Sequence, residues 1–548
     1  MQKSTFWKKA ITAATLLSVL LAGCSGAGSS SPGDPTANTD TDKVQPAAQQ
    51  EITVAVSGDV GLDRLDAGAY DGSMNVHAMI YDGLVQYGEK GQIEPALAES
   101  WEISEDGKTY TFHLRQGVKF SDGSDFNAEA VKFSFERWIH DPSNSLTVAT
   151  AMQSLEIVDD HTVQMTFDRA YYPLLTELTF ARPVRIISPN AVEPAGDSQG
   201  TFVKPIGTGA WMADSYKTDQ EAVLVRNPNY WGDAPKLSKI TLKVIPDPQS
   251  RVLALQSGEV DLAGGQMSRL PLESLPVIEN EASLERLRSP GTSSHFLVYN
   301  GSNPDLQDVN VRKAINLAID KSSIVNDLMG GIGSEAKGLF PSTVPYVTES
   351  NSKGYGYDPE AARSRLAESG YTDTDGDGLV EKNGTPLKLS LVLQQVDFPE
   401  WKPMAELIQA ELQNVGISVE LQVLEPNAYY DALWTTKAYD MIVYRTYDDA
   451  YNPHSFLSSL FHRTGDTAAV AWSDAELEQL IDTALASTEE KKRQGTYDQI
   501  FARMDGQAMF ASLYYPDDLF VFNKRLRGVE AGYTTFEPIL WNRLEVME

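Results

Sequence analysis

From Glu51 onward, short strand-like stretches alternate with amphipathic helical ones, and this alternation most constrains the fold. The stretches "EITVAV" (51–56), "TYTFHLR" (109–115), "TVQMTF" (162–167), "ITLKVI" (240–245), "HFLVYN" (295–300), "LKLSLVL" (387–393), "ISVELQVL" (417–424) and "DMIVYR" (440–445) read as strands. Between them, "NVRKAINLAIDKSSIVNDLM" (310–329) carries apolar Val311, Ile315, Leu317 and Ile319 at helical spacing. "PMAELIQAELQNVG" (403–416) opens on a proline and closes on Gly416, the usual helix punctuation. "SDAELEQLIDTALA" (473–486) offers Ser473 as a cap with Glu476 three residues on. Strand–helix–strand order predicts α/β domains with mixed sheets. A chain of 548 residues is too long for one core, so two or three domains are expected.

The first 23 residues have the layout of an export signal. Lys3, Lys8 and Lys9 precede an apolar run from Ala10 to Ala22 that is short for a membrane span. The run ends in Leu21-Ala22-Gly23-Cys24, which resembles a bacterial lipobox, so Cys24 is the expected lipidation site. Cys24 is the one cysteine of the chain, which leaves no intramolecular disulfide. Residues 24–50 are rich in Ser, Gly, Pro, Thr and Asp and read as a flexible tether. The expected location is the outer face of the cell membrane of a single-membrane bacterium, held by lipid.

Charge narrows the function. With 45 basic and 76 acidic residues the net charge is -31, which repels phosphate backbones and argues against a nucleic-acid partner. Phosphate-loop, HExxH, CxxC and GxSxG signatures are missing, so no catalytic residue and no catalytic cofactor is assigned.

Two long segments carry a family resemblance. "PALAESWEISEDGKTYTFHLRQGVKFSDGSDFNAEAVKFSFER" (95–137) and "PIGTGAWMADSYKTDQEAVLVRNPNYWGDAPKLSKITLKVIPDPQSRVLALQSGEVDL" (205–262) resemble signatures of the family 5 extracellular solute-binding proteins of peptide and nickel ABC transporters. The resemblance implies a two-lobed α/β periplasmic-binding-protein-like fold of cluster C type, with mixed sheets and an extra domain. On that reading residues 51–90, 205–295 and 516–548 build lobe I, 91–204 an additional subdomain of it, and 296–515 lobe II. It also implies a monomer that partners ABC permease subunits and closes over a small solute.

Within the family, "AYYPLLTELTFARPVRIISP" (170–189) and "VYRTYDDAYNPHSFLSSL" (443–460) are most similar to the nickel and metallophore branch. By that resemblance Arg182 holds a carboxylate of a chelator that supplies most of the metal's ligands, and a guanidinium suits that task because it offers two parallel donors. Arg185 is read as structural. Tyr447 and Tyr451 form an aromatic box with Met74 at its entrance, and Tyr430 is a further aromatic candidate. His462 and His454 are the candidate metal ligands, since neutral imidazole binds nickel well. His77 is a candidate of the same standing as His454. A second arginine and a tryptophan usual in the branch are missing from "IHDPSNSLTVAT" (139–150), and Arg445 is the substitute considered.

Asp449 points toward peptides, because an aspartate four residues before this proline pairs with the amino terminus in peptide-binding relatives. "TDTDGDGLVEKNG" (372–384) places Asp373, Asp375, Asp377 and Glu381 at calcium-loop positions but has Gly384 at the twelfth, so it encodes at most a partial structural calcium site. The leading expectation is a receptor for a chelated transition metal, nickel first. A di- or oligopeptide receptor is the alternative, and an exported hydrolase is the alternative from another class.

Overall fold

The computed structural model describes residues 50–69, 71–140, 146–446, 451–463, 468–534 and 536–547. Three sheets organise them. The first has seven strands in the order Trp211–Lys217, Glu221–Arg226, Lys239–Val244, Glu51–Val56, Leu262–Gly264, Asp517–Asn523, Leu284–Pro290. Glu51–Val56 pairs in parallel with Lys239–Val244 and Leu262–Gly264, while the remaining pairs are antiparallel. The sheet is therefore mixed. The second has six strands in the order Ser334–Glu335, Phe510–Tyr515, His295–Tyr299, Met441–Arg445, Lys388–Leu393, Ser418–Val423. Its central strand His295–Tyr299 is buried at every position, as a strand covered on both faces must be. The third is a four-stranded antiparallel sheet of Ala98–Ile103, Thr109–Leu114, Thr162–Phe167 and Met152–Asp159. Its inner strands alternate buried and half-buried side chains, the pattern of a sheet with one face on the core.

Hydrophobic packing joins these sheets into two lobes. One core runs from Ile52 and Leu242 in the seven-stranded sheet to Phe112 and Val163 in the four-stranded sheet, and together they make lobe I. A second core around Phe296, Leu391, Trp401 and Phe510 makes lobe II. The main chain passes between the lobes at 290–295 and again at 515–517, and the two crossings lie side by side: Gly291 N–H donates to Pro516 O at 3.0 Å. A Cβ at Gly291 would sit 2.6 Å from that carbonyl oxygen, so only glycine allows the approach.

Local chemistry moves some expected boundaries. The periodic stretch 310–329 is not one helix: Val309–Ala318 ends at extended Ile319, and Asp320 starts a new turn by accepting from Ser322 N–H at 3.0 Å. The helix predicted from Ser473 begins at Ala475. Its cap is Asp474, which accepts from Leu477 N–H at 2.9 Å, while the Ser473 hydroxyl donates to Phe461 O.

Within residues 170–189, Glu177 is fully buried. Its Oε2 accepts from Val148 N–H at 2.9 Å and from the Tyr171 hydroxyl at 2.7 Å, and Oε1 has no hydrogen-bond partner among the described residues. Burial outweighs these bonds and pushes the carboxyl up to about 7. A raised carboxyl stabilises the fold fully below its ordinary value of 4.5, and that contribution is lost as pH rises through about 7. Wild type should therefore lose about 3 kcal/mol through this group between pH 5 and pH 9. Denaturant unfolding of Glu177→Gln should lack that component, and an unchanged pH profile would refute the assignment.

Candidate functional site

The boundary between the lobes holds a cavity, and a guanidinium cluster lies apart from it in lobe I. Beside the crossings lies a cavity of about 490 Å³, walled by Pro271 and Arg269 of lobe I and by Met329, Pro399 and Glu400 of lobe II. Arg269 Nη1 donates to Glu400 Oε1 at 3.1 Å, so an ion pair spans the lobes along its wall. The Arg269 guanidinium also lies 5.2 Å from the Phe398 ring centre, and that of Arg445 lies 5.3 Å from the same ring. His295, which lines the cavity, accepts the Trp401 indole N–H on Nδ1 at 2.7 Å and packs 4.6 Å from the Tyr514 ring. Burial, helped by the charges of Arg269 and Arg445, holds this imidazole well below its ordinary pKa. It is a neutral ring with the proton on Nε2.

The cluster around Arg182 is built from residues 71–77 and the segment that follows Glu177. Arg182 is half-buried, and its Nη1 donates to Gly72 O at 2.7 Å. Gly72 has φ +70°, and a Cβ there would meet Leu65 at 2.6 Å, so the carbonyl is presented by a turn that needs glycine. Half-buried Met74 begins the next helix, Met74–Ile80. On its inner face His77 is fully buried and donates Nε2–H to Asp71 O at 3.1 Å. Burial drives the His77 pKa down to about 4, with the charges of Arg182 and Arg185 adding to the fall, so the ring is neutral. Arg185 is spent on structure: it donates to Phe180 O at 2.8 Å and pairs with Glu537 at 2.6 Å, tying this segment to the C-terminal residues.

The other sequence candidates fall in several places. Tyr451, from lobe II, is buried against lobe I: its ring lies 4.7 Å from that of Tyr87, and its hydroxyl donates to Tyr533 O at 3.0 Å. Tyr87 and Tyr533 also wall a cleft of about 720 Å³ inside lobe I, which holds Asp82 and the Arg185–Glu537 pair. Half-buried Arg445 donates to Thr446 O at 3.1 Å beside Phe398. Half-buried Tyr430 stacks edge-on to Tyr429 at 5.0 Å. His454 is buried in the helix Pro453–Phe461 with Nε2 3.2 Å from the Ser458 hydroxyl, and burial lowers it to about 3. His462 donates Nδ1–H to Arg463 O at 2.7 Å and sets Nε2 3.3 Å from Asp482, both within lobe II. Tyr447, Asp449 and Cys24 lie outside the described residues. Of the described candidates, none lines the 490 Å³ cavity.

On the surface of lobe II, Asp373, Asp375 and Asp377 bring carboxylate oxygens within 4.8 Å of one another. Glu381 turns inward instead, its Oε1 accepting from Thr374 N–H at 2.9 Å and from the Thr374 hydroxyl.

Sequence reasoning passed over Arg269, His295, Glu400 and Tyr514. His295 was visible only as the first residue of a strand, and Glu400 lay outside the helix read from Pro403. It also passed over Tyr172.

Comparison with known proteins agrees with this architecture. The model of bacterial extracellular solute-binding proteins, family 5 Middle, matches residues 92–468. The nickel-binding periplasmic protein of Escherichia coli (strain K12) is 34% identical over 492 residues, covering 89% of this chain and 93% of the relative. The dipeptide-binding protein of the same organism is 29% identical over 455 residues, covering 78% and 82% respectively. The crystal structure of NikA from Brucella suis in complex with Fe(III)-EDTA matches with a TM-score of 0.84 at 32% identity, covering 90% of this chain and 99% of that one. The chain belongs to the bacterial extracellular solute-binding proteins of family 5, the substrate-binding components of ABC transporters.

Proposed function

We propose that this protein is the lipid-anchored receptor of an ABC importer and that it captures a chelated transition metal, nickel first, between its lobes. The observation that carries this reading is the placement of Arg182: a half-buried guanidinium on lobe I, steadied by the Gly72 carbonyl at 2.7 Å, beside Met74 and a neutral His77. A carboxylate of the chelator docks on that guanidinium, and Tyr447 and Tyr451, the aromatic pair that the family resemblance implies, are the residues to cover it. The relative named for nickel and the neighbour holding an iron chelate support the choice of solute. The receptor binds and releases without altering a bond. Cys24 anchors it through lipid, residues 25–50 act as the tether, and the permease of the importer receives the solute.

A second reading, a short-peptide receptor, is favoured by the 490 Å³ cavity. Its largely apolar walls and the Arg269–Glu400 pair suit side chains flanked by charged ends. Native mass spectrometry with elemental analysis, on protein purified without added ligand, separates the two: nickel with a small organic mass supports the chelate, and a peptide mass without metal supports the alternative.

Replacing Arg182 with alanine should remove a charge-assisted contact worth roughly 2–5 kcal/mol. Titration calorimetry with nickel complexes of small carboxylate chelators reads the loss, and wild-type affinity in the variant would count against the site. For the anchor, Cys24→Ser should leave the protein unlipidated and soluble after cell fractionation. Retention of that variant in the membrane fraction would overturn the anchor.

A further inference from the structure

Each lobe pushes one tyrosine into the other. Tyr451 of lobe II enters lobe I between Tyr87 and Tyr533, and Tyr172 of lobe I enters lobe II. Half-buried Tyr172 packs against both hydrophobic cores. Its hydroxyl lies 2.6 Å from that of Tyr497, and its ring stands edge-on to Tyr346 at 6.4 Å and to His454 at 6.0 Å. The Arg493 guanidinium covers its face at 4.1 Å. That guanidinium is itself fixed by the Tyr346 hydroxyl at 3.0 Å and by Glu490, so the socket in lobe II is rigid. Tyr346 and Tyr497 stack parallel at 4.3 Å to form its wall.

The plug is not a surface contact of convenience. Tyr172 follows Tyr171, whose hydroxyl binds buried Glu177, and ten residues later the same segment carries Arg182. Seating Tyr172 therefore fixes the far end of the segment that presents Arg182. We infer that Tyr172 is a positioning residue for solute capture: its insertion among Tyr346, Arg493 and Tyr497 sets the balance between closed and open lobes and aligns the Arg182 segment with lobe II. The alignment of Arg182 rests on the proposed function, whereas the closure balance does not.

The contact is present only when the lobes are together, so its removal shifts the closed-to-open ratio by whatever it contributes. A cation–π contact and the aromatic packing around it amount to about a tenfold change or more. The experiment uses the full chain carrying Cys24→Ser, with dyes on Thr218→Cys of lobe I and Glu406→Cys of lobe II, both exposed positions. Single-molecule energy transfer then counts closed and open molecules after solute has been stripped. Tyr172→Ala should lower the closed-to-open ratio by about tenfold or more while the thermal midpoint of unfolding stays near wild type. Tyr172→Phe and Tyr497→Phe should each lower the ratio less, and the double variant should be no worse than either single one, because both remove the same hydroxyl pair.

An unchanged ratio in Tyr172→Ala overturns the inference, as does a midpoint that falls in step with the ratio in both Tyr172→Ala and Tyr172→Phe. If the ratio falls as expected but wild type ignores nickel chelates, the latch stands and the assigned solute fails.

Discussion

The architecture depends on the contact between two crossing strands. Gly291 donates to Pro516 across 3.0 Å, and nothing larger than hydrogen fits at residue 291. The two chain passages between the lobes are thereby held as one ribbon, so the lobes share a single axis about which they can swing instead of two independent joints. The cavity lies beside this ribbon, and Pro516 and Gly291 contribute to its wall. Side-chain contacts between the lobes among the described residues include Arg269 with Glu400, Tyr172 in lobe II and Tyr451 in lobe I.

The electrostatics of the closed form follow from burial more than from charge. His77, His295 and His454 are all held neutral by removal from water, and the arginines near the first two push in the same direction. Neutral rings are spacers and hydrogen-bonding partners here, and they add no positive charge beside Arg182, Arg269 and Arg445. The chain as a whole carries a net charge of -31.

Strand existence was legible in the sequence because alternation of buried and exposed side chains is a local property, as in "TYTFHL" and "TVQMTF". Strand order was not, since Leu262–Gly264 pairs with Phe520–Phe522 more than 250 residues away, and no local pattern records such a pairing. The break at Ile319 was hidden because Ile319 continues the helical period even though Asp320 restarts the backbone. The motif around Arg182 singled that residue out, and the structure sets it against the Gly72 carbonyl of lobe I. The cavity could not be anticipated, because Arg269, His295 and Glu400 meet only when two separately folded halves come together.

Sheet composition also sets an order of assembly. All strands of the six-stranded sheet come from one stretch, Ser334 lying between His295 and Tyr515. The seven-stranded sheet instead needs Asp517–Asn523, almost the last piece of the chain, to fill the gap between Leu262–Gly264 and Leu284–Pro290. As a polypeptide emerges amino end first, lobe II can complete its hydrogen-bond ladder while lobe I still has an open slot one strand in from the edge of its sheet. The final insertion of that strand draws the second crossing up against the first, so the molecule acquires its swinging joint and its finished first lobe in the same event.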